Sequence, residues 1–221
     1  MEVTGVTNML SEELQKLAAQ NASNSRFHGS KDVVSGKYDT GGTPYPKAAV
    51  STGNVLLVKT RAGYKALIGK RGAHLAHGGK LGLLGGYVDL EKGESIAEGA
   101  IREVREETSD LIDIAHVTPI PLGPYLDFTD KHNNVCCSNG FMYKLDASLS
   151  QIVLDKIIRK GEGINKEVSE FQLIDIKNID SEIQRLGGTK AFGYIQDVIY
   201  LLRANQNLYP EKSPSRLQRG D

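Results

Sequence analysis

The sequence predicts one α/β domain in which helices cover a mixed β-sheet. Three observations lead there. Short apolar runs of strand-like composition recur between Gly-, Asn- and Pro-rich turns, two segments carry apolar residues at helical spacing, and neither a repeat nor a linker splits the chain into two cores. A length of 221 residues is above the usual single domain and short for two, and 39% apolar content suffices for one core.

Residues 8–20 place Leu10, Leu14 and Leu17 on one side of a short amphipathic helix. Residues 21–46, rich in Ser, Asn, Gly, Thr and Pro, read as a loop or extended arm carrying Phe27, Tyr38 and Tyr45. Residues 1–45 are thus an N-terminal helix and arm, residues 46–209 the domain, and residues 210–221 a polar tail expected to be disordered. Over 47–60, strands are expected on either side of a turn at Gly53 and Asn54. Another strand is expected over 64–70, followed by a glycine-rich loop to Gly86 and a charged helix beginning near Glu94. Residues 112–117 read as a strand, and the prolines of 119–124 exclude a helix interior. Residues 127–134 form a polar loop, 135–145 and 171–176 are strands, and Ala191, Ile195, Val198, Ile199 and Leu202 recur at helical spacing.

Charge is balanced, 27 Lys plus Arg against 27 Asp plus Glu, which argues against a nucleic-acid partner held by general phosphate attraction. A small phosphorylated ligand needs only a local site and stays allowed. Cys136 and Cys137 are adjacent, so on a strand they face opposite sides and make poor disulfide partners. They read as reduced thiols of a cytosolic protein. The N-terminus has no basic start or continuous apolar stretch, and no apolar run approaches membrane-spanning length. The expectation is a soluble, cytoplasmic protein without a membrane partner.

The chemistry is concentrated in residues 85–111, GGYVDLEKGESIAEGAIREVREETSDL. Ser95 with Glu98 three positions later is a capping-box pattern, which starts a helix. Ala97, Ala100, Ile101 and Val104 form an apolar stripe for packing on the sheet. The other side carries Glu103, Glu106 and Glu107, and positions i, i+3 and i+4 share one helical face. Carboxylates held that close repel one another unless a cation neutralises them. Their hard oxygens suit magnesium, which keeps several waters and accepts oxygens from substrate phosphates. Arg102 sits four residues after Glu98 and eight after Glu94, so it can pair with either and hold the helix start.

With Gly86 ahead of it, this segment resembles the signature of the Nudix hydrolase family. The signature runs Gly, a short spacer, Glu, seven residues, Arg-Glu, an apolar residue, any residue, Glu-Glu, any residue and Gly. Glu94 and the run from Arg102 to Glu107 match without a gap. Seven residues instead of the usual five separate Gly86 from Glu94, and Ser109 stands where the family has glycine, followed by Asp110 instead of an apolar residue. That glycine normally helps end the helix, so the departure concerns the helix exit and not the metal ligands.

The resemblance implies an α/β/α sandwich with a mixed sheet, and magnesium, with manganese as a substitute, bound by Glu103, Glu106 and Glu107. The backbone carbonyl of Gly86 is implied as a further ligand, and Glu94 with Arg102 as a structural ion pair orienting the helix. A metal-activated water would attack one phosphorus of a diphosphate. The general base would be a glutamate of the box, such as Glu106, or a distant loop glutamate, Glu162 or Glu167. Glycines flank Glu162, which suits a mobile loop; Glu170 directly precedes a strand and reads as structural.

Other signals are weaker. Arg71 and Lys80, in the loop with Lys70, His74 and His77, could grip substrate phosphates, and Tyr125 could stack on a base. His74 and His77 lack a third ligand at a fitting distance for zinc. The arm could cross to a second subunit and give a homodimer. The leading function is hydrolysis of a nucleoside diphosphate linked to another moiety: ADP-ribose, a nucleotide sugar or a dinucleotide. The alternatives are a triphosphate pyrophosphohydrolase that cleans the nucleotide pool, and a non-catalytic nucleotide-binding regulatory module.

Overall fold

The computed structural model describes residues 48–127 and 135–210. The helix read over 8–20, the arm with the dimer contact expected of it, residues 128–134 of the loop read over 127–134 and the tail beyond 210 lie outside the described residues.

Val55, Leu56, Leu57 and Val58 are all fully buried, which requires a strand covered on both faces. They form the middle of β1 (Ala48–Thr60), which runs without a break through the Gly53-Asn54 pair expected to turn. Both residues are held by close neighbours instead. A Cβ on Gly53 would lie 3.0 Å from the Tyr200 ring, and buried Asn54 donates its Nδ2 to the Ala100 carbonyl at 3.4 Å. The turn comes later, where Thr60 Oγ1 donates to the carbonyl of Gly63, whose φ of 111° favours glycine.

β2 (Gly63–Arg71) returns antiparallel to β1, with Leu56 paired to Leu67. Beyond that pair the two strands part and the chain after the 72–80 loop runs between them. β3 (Leu81–Gly82) pairs with β2, while Leu84 and Tyr87 bridge to Asn54 and Ser51 of β1. β4 (Ile120–Asp127) is an outer strand antiparallel to β5 (Val135–Lys144), and β5 lies parallel to β1 from Ala48↔Val135 to Leu57↔Lys144. β6 (Val168–Asp175) pairs antiparallel with β2, with a register shift at Lys70/Arg71. The six-stranded sheet is mixed.

Helices cover both faces. On one side α1 (Ile96–Glu107) and α2 (Ala147–Ile152), which continues into a wider π-type turn (Val153–Ile158), build a core of Leu56, Val58, Leu67, Val104, Val153 and Ile157. On the other, α3 (Ile179–Arg185) and α4 (Ile195–Leu208) pack Ile183, Val198 and Leu201 onto Val55, Leu57 and Ile68. Tyr200 of α4 is fully buried and donates its hydroxyl to the Ser138 carbonyl at 2.7 Å.

The sequence anticipated α4, with Ala191 instead in the 3₁₀ turn before it (Thr189–Ala191). It did not anticipate α2 or α3. Residues 112–117 are not a strand, although Ile112 and Ile114 are buried alternately as a strand's would be. The Ile112 N–H goes to Thr108 Oγ1 and Val117 bonds back to Ile114, so no neighbouring strand is engaged. In α1, Gly99 takes the buried place expected of Ala97, which is exposed. Neither Cys136 nor Cys137 is in a disulfide, and Cys136 Sγ lies 3.3 Å from Ser51 Oγ. Among the described residues no helix is long and apolar enough to cross a membrane.

Candidate active site

α1 starts where its sequence says it should. Ser95 is the N-cap, its hydroxyl accepts from the Glu98 N–H, and the Glu98 carboxylate accepts from the Ser95 N–H at 2.8 Å. With the start set, Ala100 and Val104 face the sheet and Glu103 and Glu107 are buried at its edge, while Glu106 is exposed.

Arg102 organises this end of the helix. Its Nε and Nη2 grip Glu94 at 2.7 and 3.0 Å, Nη2 also donates to the Tyr87 carbonyl at 2.7 Å, and Nη1 bridges Glu103 and Glu106 at 2.7 and 3.0 Å. The second oxygen of Glu94 accepts from the Asp89 N–H at 2.6 Å, which ties the longer turn to the helix. The hydrogen bonds from Arg102 hold the Glu94 carboxyl below its usual range, and the Arg102 guanidinium is pushed further up.

The carboxylates behave differently. Burial pushes Glu103 up to about 7, against the pull of Arg102 and with the help of Glu106 and Glu167. Burial also pushes Glu107 well above the ordinary value, and the charges of Glu103 and Glu167 add to it. The Gly85 N–H donates to Glu107 at 2.7 Å. Gly86 lies against Glu103, because a Cβ there would be 2.6 to 2.8 Å from its carboxylate atoms. The Gly86 carbonyl accepts the Thr52 N–H at 2.8 Å. With Arg102 between Glu103 and Glu106, no three acidic, His or Cys side chains among the described residues are arranged to hold a metal as they stand.

The two loop glutamates separate. Glu167 lies close enough to Glu103 and Glu107 to raise both. Glu162 is an exposed residue paired with Lys160 at 3.7 Å, its N–H bonded to the Lys156 carbonyl. Glu170 pairs with Lys70 across β2 and β6. Arg71 stacks 5.1 Å from the centre of the Tyr194 ring, donates its Nε to Ala76, and pulls down on the buried carboxyls of Glu107 and Asp197. His77 meets the same ring edge-on at 4.9 Å. Lys80 closes the 72–80 loop through its backbone, and Tyr125 packs half-buried against the α4-side core.

Two residues escaped sequence reading. Asn165, between Glu162 and Glu167, reaches the C-terminal end of α1, where its Nδ2 donates to the carbonyls of Glu106 and Glu107 at 3.0 and 3.1 Å. Its partners are 59 and 58 residues away, so only its habit of bonding nearby backbone N–H groups was legible. Asp197, a polar position in an amphipathic helix, is buried with its carboxyl pushed up to about 7 by burial, against a backbone hydrogen bond from Leu83.

The model of the NUDIX domain matches residues 47–179. Among curated proteins none matches this chain. Several solved structures are similar in fold. NrtR of Shewanella oneidensis is 17% identical with a TM-score of 0.51, over 72% of this chain and 63% of that one. A mutT/nudix family protein from Listeria innocua is 19% identical with a TM-score of 0.51, over 74% and 95%. The C. elegans Ap4A hydrolase is 17% identical with a TM-score of 0.50, over 72% and 97%. This chain spans less than two thirds of the NrtR chain's length, and NrtR has also been crystallised with a 27mer DNA. The expectation that nucleic acid is excluded therefore finds no support in these likenesses. The sandwich, its mixed sheet and the matched domain agree: the chain belongs to the Nudix family.

Proposed function

We propose that this protein is a magnesium-dependent hydrolase that cleaves the phosphoanhydride bond of a nucleoside diphosphate linked to another moiety. The observation that carries the reading is the cluster of Glu103, Glu106 and Glu107 on one helical face, where burial raises the proton affinity of Glu103 and Glu107, the charge of Glu106 adds to it at Glu103 and that of Glu103 at Glu107. The cluster fits a divalent cation. Its donors are hard carboxylate oxygens, two are desolvated, and Nη1 of Arg102 already draws Glu103 and Glu106 towards one positive centre. Gly86 leaves room beside Glu103 that a Cβ would fill. Glu103, Glu106, Glu107 and the Gly86 carbonyl would hold the ion, magnesium or manganese in its place. An ion held there would supply Lewis acidity, making a water easier to deprotonate and offsetting charge on the phosphate oxygens.

The chain's own residues supply the rest. Glu94 and Arg102 fix the rotation of α1, so that the carboxylates face the Gly85-Gly86 turn. Glu167 takes the proton from the attacking water, and the bridging P–O bond breaks to release two phosphate monoesters. Its proximity to Glu103 and Glu107 favours it over Glu162. Arg71, held against Tyr194, supplies positive charge for a substrate phosphate. A Nudix domain of similar fold has been crystallised with ADP ribose, itself a linked diphosphate, which supports that substrate class.

The test is phosphate release from a panel of triphosphates, ADP-ribose, nucleotide sugars, dinucleotides and dinucleoside polyphosphates, with magnesium and with chelator, adding phosphatase to reveal new monophosphates. Magnesium-dependent turnover of the linked diphosphates is expected. Turnover of triphosphates alone would favour the pool-cleaning reading. Silence from folded protein that binds magnesium would favour the regulatory module, which NrtR's complex with DNA makes concrete.

A further inference from the structure

We propose that Asn165 is a positioning residue that latches the loop bearing Glu167 to the end of the carboxylate helix, with Ser109 as the second part of the latch. The inference rests on the hydrolase reading above for its catalytic consequence.

Asn165 uses both ends of its side-chain amide. Nδ2 donates to the last carbonyls of α1, those of Glu106 and Glu107, at 3.0 and 3.1 Å. Both are among the last carbonyls of α1, which have no partner further along the helix, although the Glu106 carbonyl also accepts the Ser109 N–H at 3.2 Å, so the contact caps α1 from another part of the chain. Oδ1 accepts from the N–H groups of Glu167 and Val168 at 2.8 and 2.9 Å, and the Asn165 N–H closes the turn onto the Val168 carbonyl at 3.0 Å. One planar amide therefore bridges the backbone of two candidate metal ligands to the backbone of the candidate base.

Ser109 is where this chain departs from the family motif. It sits at φ of 50° and Asp110 at 60°, a left-handed exit that glycine would make without strain. In return its hydroxyl donates to the Gly163 carbonyl at 3.3 Å and lies 3.4 Å from Asn165 Nδ2. A glycine at 109 would make the exit but not the link. The opposite side of the loop is pinned too, since the Gly72 N–H donates to the Glu167 carbonyl at 2.7 Å and a Cβ on Gly72 would come within 2.1 Å of the Lys166 carbonyl oxygen. The backbone of Glu167 is thereby held between the end of α1 and Gly72 after β2, within electrostatic reach of Glu103 and Glu107.

The experiment uses the full chain and two readouts. Amide hydrogen exchange is followed at Glu167 and Val168 in wild type, Asn165→Ala, Asn165→Asp and Ser109→Gly. Asn165→Asp keeps the acceptor for the two N–H groups but turns an oxygen towards the α1 carbonyls. Exchange at both amides should quicken at least tenfold in Asn165→Ala, and Ser109→Gly should loosen the loop while the fold persists. For catalysis, kcat should fall about tenfold or more in Asn165→Ala with KM within about threefold. The fall should vanish in a Glu167→Gln background, because residues acting through one another are not additive. Unchanged exchange in Asn165→Ala and Ser109→Gly would overturn the latch. The same kcat loss with and without Glu167 would overturn the positioning role. If wild type turns over no nucleotide, the hydrolase reading fails, and the exchange data alone still decide whether the latch exists.

Discussion

Arg102 presents Nε and Nη2 to the two carboxylate oxygens of Glu94 at 2.7 and 3.0 Å, a two-pronged pairing across eight residues of sequence. The Glu94 side chain is only 12% exposed. Lysine cannot reproduce this fork, because an ammonium offers a point charge where a guanidinium offers a planar pair of donors. Arg102→Lys should therefore lower unfolding stability by about 2 kcal/mol, the scale of charge-assisted hydrogen bonds lost to a partly buried carboxylate. Urea unfolding measures it, and a change under about 0.5 kcal/mol, as at an ordinary surface site, would remove the pair from the structural role.

Glu106→Gln and Glu107→Gln should each lower magnesium-dependent turnover by about a hundredfold or more, the scale of losing one preorganised electrostatic contributor. Neither should unfold the protein. Glu107 is buried with its carboxyl pushed up, so a neutral amide of the same shape relieves a penalty on ionisation. Full activity in both variants would move the metal site elsewhere.

Asp197 should give the fold a pH dependence in the presence of chelator. Its folded pKa is raised to about 7 from an ordinary 3.8, so folding favours the protonated acid. The contribution is complete below pH about 4 and is lost as pH rises through about 7, by up to ~4 kcal/mol. Asp197→Asn should flatten much of the fall in melting temperature over that window. Glu103 and Glu107, displaced in the same direction, leave a residual slope. An identical profile in the variant would mean that the Asp197 carboxyl titrates alike in the folded and unfolded protein, with Arg71 offsetting burial.

Gly140→Ala tests the far side of the sheet. A Cβ there would stand 2.3 Å from ring atoms of Tyr200, which is itself fully buried. Overpacking of this kind costs roughly 1–3 kcal/mol and should shift α4. Tyr200→Phe, which loses only the hydroxyl's bond to Ser138, should cost about 1 kcal/mol. Equal stabilities of wild type and Gly140→Ala would contradict this packing.

Local patterns determined a good deal of this protein. The capping box of Ser95 and Glu98, the i, i+3, i+4 spacing of the glutamates and the Glu94–Arg102 interval act within one helix and the turn before it, so they were legible in the chain and stand in the structure. So were β2, β5, β6 and α4, where composition and period agree with the environment. Gly53-Asn54 misled because a turn signal records what a dipeptide tolerates, whereas burial against Tyr200 and Ala100 made it strand. Ile112 and Ile114 misled because alternate burial imitates a strand even where the backbone finds no neighbour.

What only the tertiary structure decided are contacts between distant segments. Asn165 and Glu167 meet the end of α1 because β6 pairs with β2 and brings the loop before it against Gly72. Asp197 is buried because α4 lies on the sheet beside Gly82. Desolvation and capping by a residue 59 positions away depend on distances in space, and sequence spacing does not encode those until the sheet order is known.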